Sequence, residues 1–156
     1  MTVVEVEEPS ARSQLCETVL RDLPDWFGIE SATAAYIRDV AELPTLGIGA
    51  DASLSLKLHT ARAAEVYVMG VRRLRHGQGL GTALLQAAEE YLRARGFEYL
   101  QVKTLGPSDP DEGYARTRAH FCHSAPWNRK CSASCGWAKT PKVPKAICYQ
   151  LAVALR

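Results

Sequence analysis

Glu65-Val66-Tyr67-Val68-Met69-Gly70-Val71, then His76-Gly77-Gln78-Gly79-Leu80-Gly81, then Thr82-Ala83-Leu84-Leu85-Gln86-Ala87-Ala88-Glu89-Glu90-Tyr91-Leu92 decide the fold. The first segment is β-branched and aromatic and free of breakers, which predicts a strand. In the last, Leu80, Leu84, Ala87, Ala88, Tyr91 and Leu92 form one stripe at helical spacing, with Gln86, Glu89, Glu90 and Arg93 facing away. Between them glycines alternate at 77, 79 and 81. A strand feeding a helix start leaves amide donors without partners there. The helix dipole adds partial positive charge, and glycines remove the β-carbons that would hold a ligand off. The predicted result is an anion site built from backbone.

Two nucleotide readings fail on named residues. A phosphate loop needs Gly-Lys-Ser/Thr, and here Gly81 is followed by Thr82 and Ala83. A dinucleotide fingerprint needs its third glycine at position 82, which is Thr82. It also needs an acid at the end of the next strand, where Gln101 and Lys103 stand. A glycine-rich turn without a ligand is the plain alternative; the strand-to-helix setting argues against it.

Working outward, Thr2 to Glu7 alternates valine with polar residues, as a half-buried strand does. Pro9 and Ser10 open a helix with Leu15, Cys16, Val19, Leu20 and Leu23 at helical spacing, stopped by Pro24. Asp25-Trp26-Phe27-Gly28 reads as a turn. Ser31 caps a second helix, with Tyr36, Ile37, Val40 and Leu43 on one face, ended by Pro44. Leu46 to Lys57 reads as a hairpin turning near Gly47, Gly49 and Asp51. Beyond the long helix, Gly96 suits a C-terminal residue of positive φ. Phe97 to Leu105 reads as a strand and Gly113 to Ala119 as a short helix. The order predicts an α/β fold of the α+β kind, a mixed sheet in a single domain.

The chain has 156 residues, 47% hydrophobic and 23% charged, an ordinary globular composition. No apolar run is long enough to cross a membrane. The acidic start, Met1 to Glu8, does not read as a signal peptide, so the cytoplasm is the expected compartment. All 17 Asp and Glu lie at or before Glu112, whereas Arg116, Arg118, Arg129, Lys130, Lys139, Lys142, Lys145 and Arg156 follow it. Cys122, Cys131, Cys135 and Cys148 also lie late.

The glycine loop and its flanks resemble the GCN5-related N-acetyltransferase (GNAT) superfamily, whose motif after a strand is Arg/Gln-x-x-Gly-x-Gly/Ala. Here it is His76-Gly77-Gln78-Gly79-Leu80-Gly81, with histidine in the first place. Leu100 to Ser108 and Tyr114-Ala115-Arg116-Thr117-Arg118 are similar to one bacterial branch of the family. The resemblance covers roughly residues 1 to 120. It implies a GNAT-like acyl-CoA N-acyltransferase fold, acetyl-CoA as cosubstrate and an amine acceptor, small molecule or protein. It implies cofactor binding by Met69, Gly70 and Val71 of the strand and by His76, Gly77, Gln78, Gly79, Leu80, Gly81 and Thr82 of the loop. The Met69 amide would bond the thioester carbonyl and stabilise the developing oxyanion. Glu65 falls where some relatives carry a glutamate base, so Glu65 and Met69 are the candidate catalytic residues. The rival reading of Glu65 is a solvated strand-end residue. His59, in the preceding loop, is a second candidate base, or simply an exposed histidine. Strand alternation predicts one shared face for Glu65, Tyr67, Met69 and Val71.

The resemblance stops at about residue 120. The family continues with Phe-Tyr-x-x-x-Gly-Phe and two strands, and its tyrosine often protonates the leaving thiolate. Here the chain reads Arg118-Ala119-His120-Phe121-Cys122-His123-Ser124-Ala125-Pro126-Trp127. Phe121 or Cys122 falls at the tyrosine position, and Pro126 breaks a helix. Acids, motif and periodicity end together, as in a frame-shifted or otherwise replaced C-terminus. The expected division is a core at 1–120 and an atypical basic, cysteine-containing tail at 121–156. In the tail only Ala146 to Leu155 has a strand pattern, so Phe97 to Leu105 is expected to be a partly exposed sheet edge. Cys122, His123, Cys131 and Cys135 are weak as a zinc set, because Cys122 and His123 are adjacent. No metal is expected, nor nucleic acid as a partner; monomer and homodimer are both compatible with the sequence. Beside the transferase stand two other readings: a degenerate acyl-CoA-binding protein, and a zinc-stabilised basic module contacting nucleic acid.

Overall fold

In the computed structural model, which describes residues 1–105, 112–123 and 148–154, six strands join in one sheet whose spatial order follows the sequence. They are β1 (Val4–Glu5), β2 (Thr45–Ile48), β3 (Ala52–Leu58), β4 (Ala63–Val71), β5 (Tyr99–Leu105) and β6 (Cys148–Ala154). Every neighbouring pair is antiparallel except β4 and β5, which are parallel. A parallel pair needs a crossover, and helix α3 (Leu80–Arg93) supplies it. The other helices are α1 (Pro9–Arg21), α2 (Glu30–Asp39) and α4 (Glu112–His123).

The stripe read from the sequence is what buries α3. Leu80, Leu84, Leu85, Ala88 and Leu92 pack with Leu54, Leu56, Val66, Leu100 and Val102 on one face of the sheet. Each fully buried leucine there contributes roughly 1.5–3 kcal/mol. On the other face Cys16 and Leu20 of α1 cluster with Val40 and Val68, flanked by Phe27, Tyr36, Ile37 and Tyr67. α1 crosses β4 so closely that a β-carbon at Gly70 would lie 2.6 Å from Val19 Cγ1. Only glycine lets helix and strand meet at that distance.

Several expectations change. The first strand shrinks to Val4–Glu5, both exposed. α2 starts at Glu30, with Ile29 as its N-cap and no side-chain cap bond. Ser31 is thus inside the first turn. Thr33 ties that end instead, its Oγ1 donating towards Phe27 O at 3.0 Å and Ile29 O at 3.2 Å. β5 is not an edge, because β6 pairs along it from Tyr99↔Ala154 to Leu105↔Cys148.

The largest change lies in β4. Leu54 opposes Met69 and Ser55 opposes Val68, yet Leu56 opposes Val66. Tyr67 is left over as a bulge residue, and a bulge re-aims the side chains beyond it. Met69 and Val71 consequently pack on the α3 face with Ala64 and Val66. Tyr67 and Val68 lie on the α1–α2 face. Glu65, alternating with Ala64 and Val66, also points to the α1–α2 side. The single face predicted for Glu65, Tyr67, Met69 and Val71 does not exist. At the bulge β4 and β5 part: their register ends at Val66↔Val102, and Tyr67–Val71 runs on without a β5 partner.

Candidate active site

The loop between β4 and α3 begins with a single 3-10 turn, Arg73–Arg75. Gly77 and Gly79 both take left-handed conformations, at φ 75° and 81°. An L side chain there costs about 1–2 kcal/mol. Gly79 is the N-cap of α3, and Ala83 N–H donates back to its carbonyl at 3.0 Å. The amides of Leu80, Gly81 and Thr82 therefore precede the first helical bond. Apart from its chain neighbours, a β-carbon added at Gly77 or Gly79 would meet no atom of the described residues within 4 Å, so among them the cradle is open in front of both.

The loop is pinned from behind. His76 Nε2 donates to Val71 O at 2.6 Å, and Gln78 Nε2 donates to Leu74 O at 3.1 Å. Arg73 N–H donates to Asp22 at 2.7 Å, and its guanidinium meets Asp25 at 2.7 Å. Arg75 meets Asp51 at 3.3 Å. These exposed pairs each contribute about 1 kcal/mol or less, but together they tie the cradle to the end of α1 and the β2–β3 turn.

A cleft of about 640 Å³ opens where β4 and β5 separate. One end is the glycine cradle. Trp26 flanks that end, its ring meeting His76 edge to face at 5.9 Å, and Leu23 lines the cleft near Gly70. The other end is walled by Phe27, Tyr36 and Tyr67, on the α1–α2 side of the sheet. Lys103 of β5 and Gly113, Arg116, Thr117 and His120 of α4 complete the lining. Of the residues singled out in the sequence, Met69, Gly70, Val71, His76, Gly77, Gly79, Leu80, Gly81 and Thr82 line the cleft. Gln78 and Glu65 are not on that wall.

Glu65 and His59, two separate candidates, prove to be bonded to each other. His59 Nε2 donates to Glu65 Oε2 at 2.5 Å, and Lys103 Nζ donates to the same oxygen at 3.1 Å. The Glu65 side chain is 8% exposed, that of Lys103 25%. Glu65 thus bridges His59 and Lys103, and Lys103 is the member of the cluster that lines the cleft.

Sequence reasoning passed over His120 and the aromatic wall. The spacing 113, 116, 117, 120 puts one face of α4 on the cleft, a signal available at the sequence level. A β-carbon at Gly81 would come within 3.0 Å of His120 Nε2, so this imidazole sits against the first turn of α3. Burial pushes its pKa below the ordinary value of 6.5. The unfolded chain then holds more protons on this group than the folded one as the medium becomes acidic. Its stabilising contribution is complete above pH 6.5 and is lost as pH falls through the folded value. His120→Gln is expected to flatten the stability decline between pH 7.5 and 5.5 in paired urea melts; an unchanged decline would refute the assignment.

Among the described residues no group of three or more His, Cys, Asp or Glu is placed to hold a metal, and no helix is long and apolar enough to cross a membrane. The side chains of Cys122, His123, Cys131 and Cys135 lie outside the described residues.

A family model described as Acetyltransferase (GNAT) family matches residues 34–121. Mycothiol acetyltransferase of Beutenbergia cavernae is 40% identical over 73 residues, 47% of this chain and 23% of that protein. The match thus spans less than a quarter of the relative. Among solved structures, a GNAT-family protein from Desulfovibrio desulfuricans superposes with a TM-score of 0.75 at 14% identity, covering 99% of each chain. The aminoglycoside 6'-N-acetyltransferase of Enterococcus faecium gives 0.66 at 14% identity, covering 100% of this chain and 98% of that one. An aminoglycoside 6'-N-acetyltransferase solved in complex with coenzyme A gives 0.65 at 12% identity, with the same coverage. At these identities the structures speak for the fold alone.

Proposed function

The chain belongs to the acetyltransferase (GNAT) family, and from that premise we propose that it transfers an acetyl group from acetyl-CoA to a primary amine by direct attack. One observation carries the reading. A single cleft joins a backbone anion cradle on one side of the sheet to an aromatic chamber on the other, through the gap between β4 and β5. An acyl donor with a diphosphate at one end and a thioester at the other needs such a passage. The fold relative solved with coenzyme A supports the same cosubstrate.

Acetyl-CoA would supply the activated acyl group. The amides around Gly77–Thr82 would hold its diphosphate, and the open edge of Tyr67–Val71 would hold its pantetheine arm. The Met69 amide would stabilise negative charge on the acyl oxygen. The acceptor would enter from the aromatic end. Glu65 and His59 serve as positioning residues that fix Lys103 on the wall. The reaction belongs in the cytoplasm, where acetyl-CoA is at hand.

Calorimetry with acetyl-CoA, followed by a thiol-release assay over an amine panel, tests this. Micromolar binding and amine-dependent CoA release are expected. Binding with no release from any amine would leave an acyl-CoA-binding protein, and no binding would remove the cradle assignment as well.

A further inference from the structure

We propose that the acyl-CoA cosubstrate binds with uptake of a proton on His120, whose imidazolium then faces the ligand's diphosphate at the first turn of α3; this rests on the cofactor part of the acetyl-transfer reading above.

The carrying observation is what fills the space at the third glycine of the loop. A β-carbon at Gly81 would lie 3.0 Å from His120 Nε2, 3.2 Å from its Cε1 and 3.2 Å from Met69 Cε. Gly77 and Gly79 face open space among the described residues, but Gly81 makes room for an imidazole. The Nε2–Cε1 edge of that ring is laid on the turn whose amides form the cradle. The missing carbon is two covalent bonds from the Gly81 amide nitrogen. Gly81 and His120 also line the same cleft. A diphosphate on the amides of Leu80, Gly81 and Thr82 brings its negative charges to the neighbourhood of this ring.

Without those charges the balance runs the other way. The ring sits at the positive end of the α3 dipole, and burial pushes its pKa below the ordinary 6.5. The first turn of α3, Leu80 to Ala83, has no titratable group. β4 brings Glu65, held by His59 and Lys103, and Tyr67, which donates to Asp39. The loop brings Arg75, paired with Asp51, and His76. α4 itself carries Glu112, Arg116 and Arg118; Asp109 and Asp111 lie outside the described residues. A nearby opposite charge raises a histidine pKa by about one unit or more. The complex then holds more protons than its parts. Affinity rises as pH falls through the bound pKa and levels off below the free one.

Calorimetry with 3'-dephospho-CoA tests this without turnover. That ligand keeps the diphosphate and lacks the 3'-phosphate, whose own ionisation near about pH 6 would blur the count. Titrations at pH 6.5 in MES and in Bis-Tris, which differ in heat of ionisation, should show uptake of roughly half a proton. Affinity should be at least about threefold higher at pH 5.5 than at pH 8. His120→Gln should abolish both effects, with His120→Asn as the second variant should the first unfold. His76→Gln should keep both. Binding without uptake, uptake that survives in a folded His120 variant, or uptake lost in His76→Gln would each overturn the proposal. No binding overturns it as well, and removes the cradle with it if acetyl-CoA also fails to bind. Failure of the acetyl-transfer reading is separable: it appears as His120-dependent uptake with no CoA release from any amine.

Discussion

Gly79→Glu is expected to weaken acetyl-CoA binding by about a hundredfold or more. Gly79 holds φ 81° and ψ 2° at the N-cap of α3. A β-carbon in that conformation costs about 1–2 kcal/mol, a strain the loop sheds by leaving the cradle geometry, which lowers the fraction competent to bind. Beyond its chain neighbours, no atom of the described residues lies within 4 Å of the added carbon. The glutamate therefore does not clash with the fold; it stands where the ligand would stand. It also brings a carboxylate to the spot where helix-start amides and the dipole favour an incoming anion. Strain and charge together come to about 3 kcal/mol, and each 1.4 kcal/mol is tenfold in affinity. Gly79→Ala carries the backbone strain alone and should lose about tenfold. Calorimetry on both, with thermal melts to show that they fold, decides the matter. Wild-type affinity in Gly79→Glu would mean that the phosphates bind elsewhere.

β4, the glycine loop and α3 were legible in the sequence because each has its own local signal: a breaker-free β-branched run, alternating glycines and an apolar stripe of helical period. The left-handed backbone expected at Gly96 is found there, whereas the loop glycines are read for their missing β-carbons and the left-handed turns at Gly77 and Gly79 do not follow from that reading. The bulge was not legible. Tyr67 is a good strand residue, and nothing in its type says that it has no partner on β3; only the register shows that. That one residue separates Met69 from Glu65. The chamber was hidden for another reason. Tyr36 reads as helix core and Phe27 as part of a turn, and only the approach of α2 to β4 assembles them. The Glu65–Lys103 bond links residues on two strands joined by a helical crossover, beyond the reach of any local pattern. Pairing of β6 along the whole of β5 was likewise invisible from β5 alone.

Glu65→Gln is expected to cost about 2–3 kcal/mol of stability and to change kcat by no more than about tenfold. The carboxylate is nearly buried and accepts from both His59 and Lys103 on one oxygen. Removing one partner of a buried ion pair costs about 3–5 kcal/mol, because the other charge is left uncompensated. Lys103 is 25% exposed and His59 34%, so solvent screening reduces that figure. Against a total stability of about 5–15 kcal/mol the loss is severe. For a chain of this length it corresponds to a fall in Tm on the order of 5–10 °C. Adding Lys103→Met removes the stranded ammonium and fills its space with an apolar chain, so the double variant should regain most of the loss. A glutamate that instead took the proton of the acceptor amine would behave in the opposite way. Its amide would lose about 10²–10⁴-fold in kcat, melt near the wild-type temperature, and gain nothing from Lys103→Met. Melting curves and kcat for the single and double variants therefore assign Glu65: a stability deficit repaired by the second substitution makes it the anchor of the wall, and a turnover deficit that persists makes it the base.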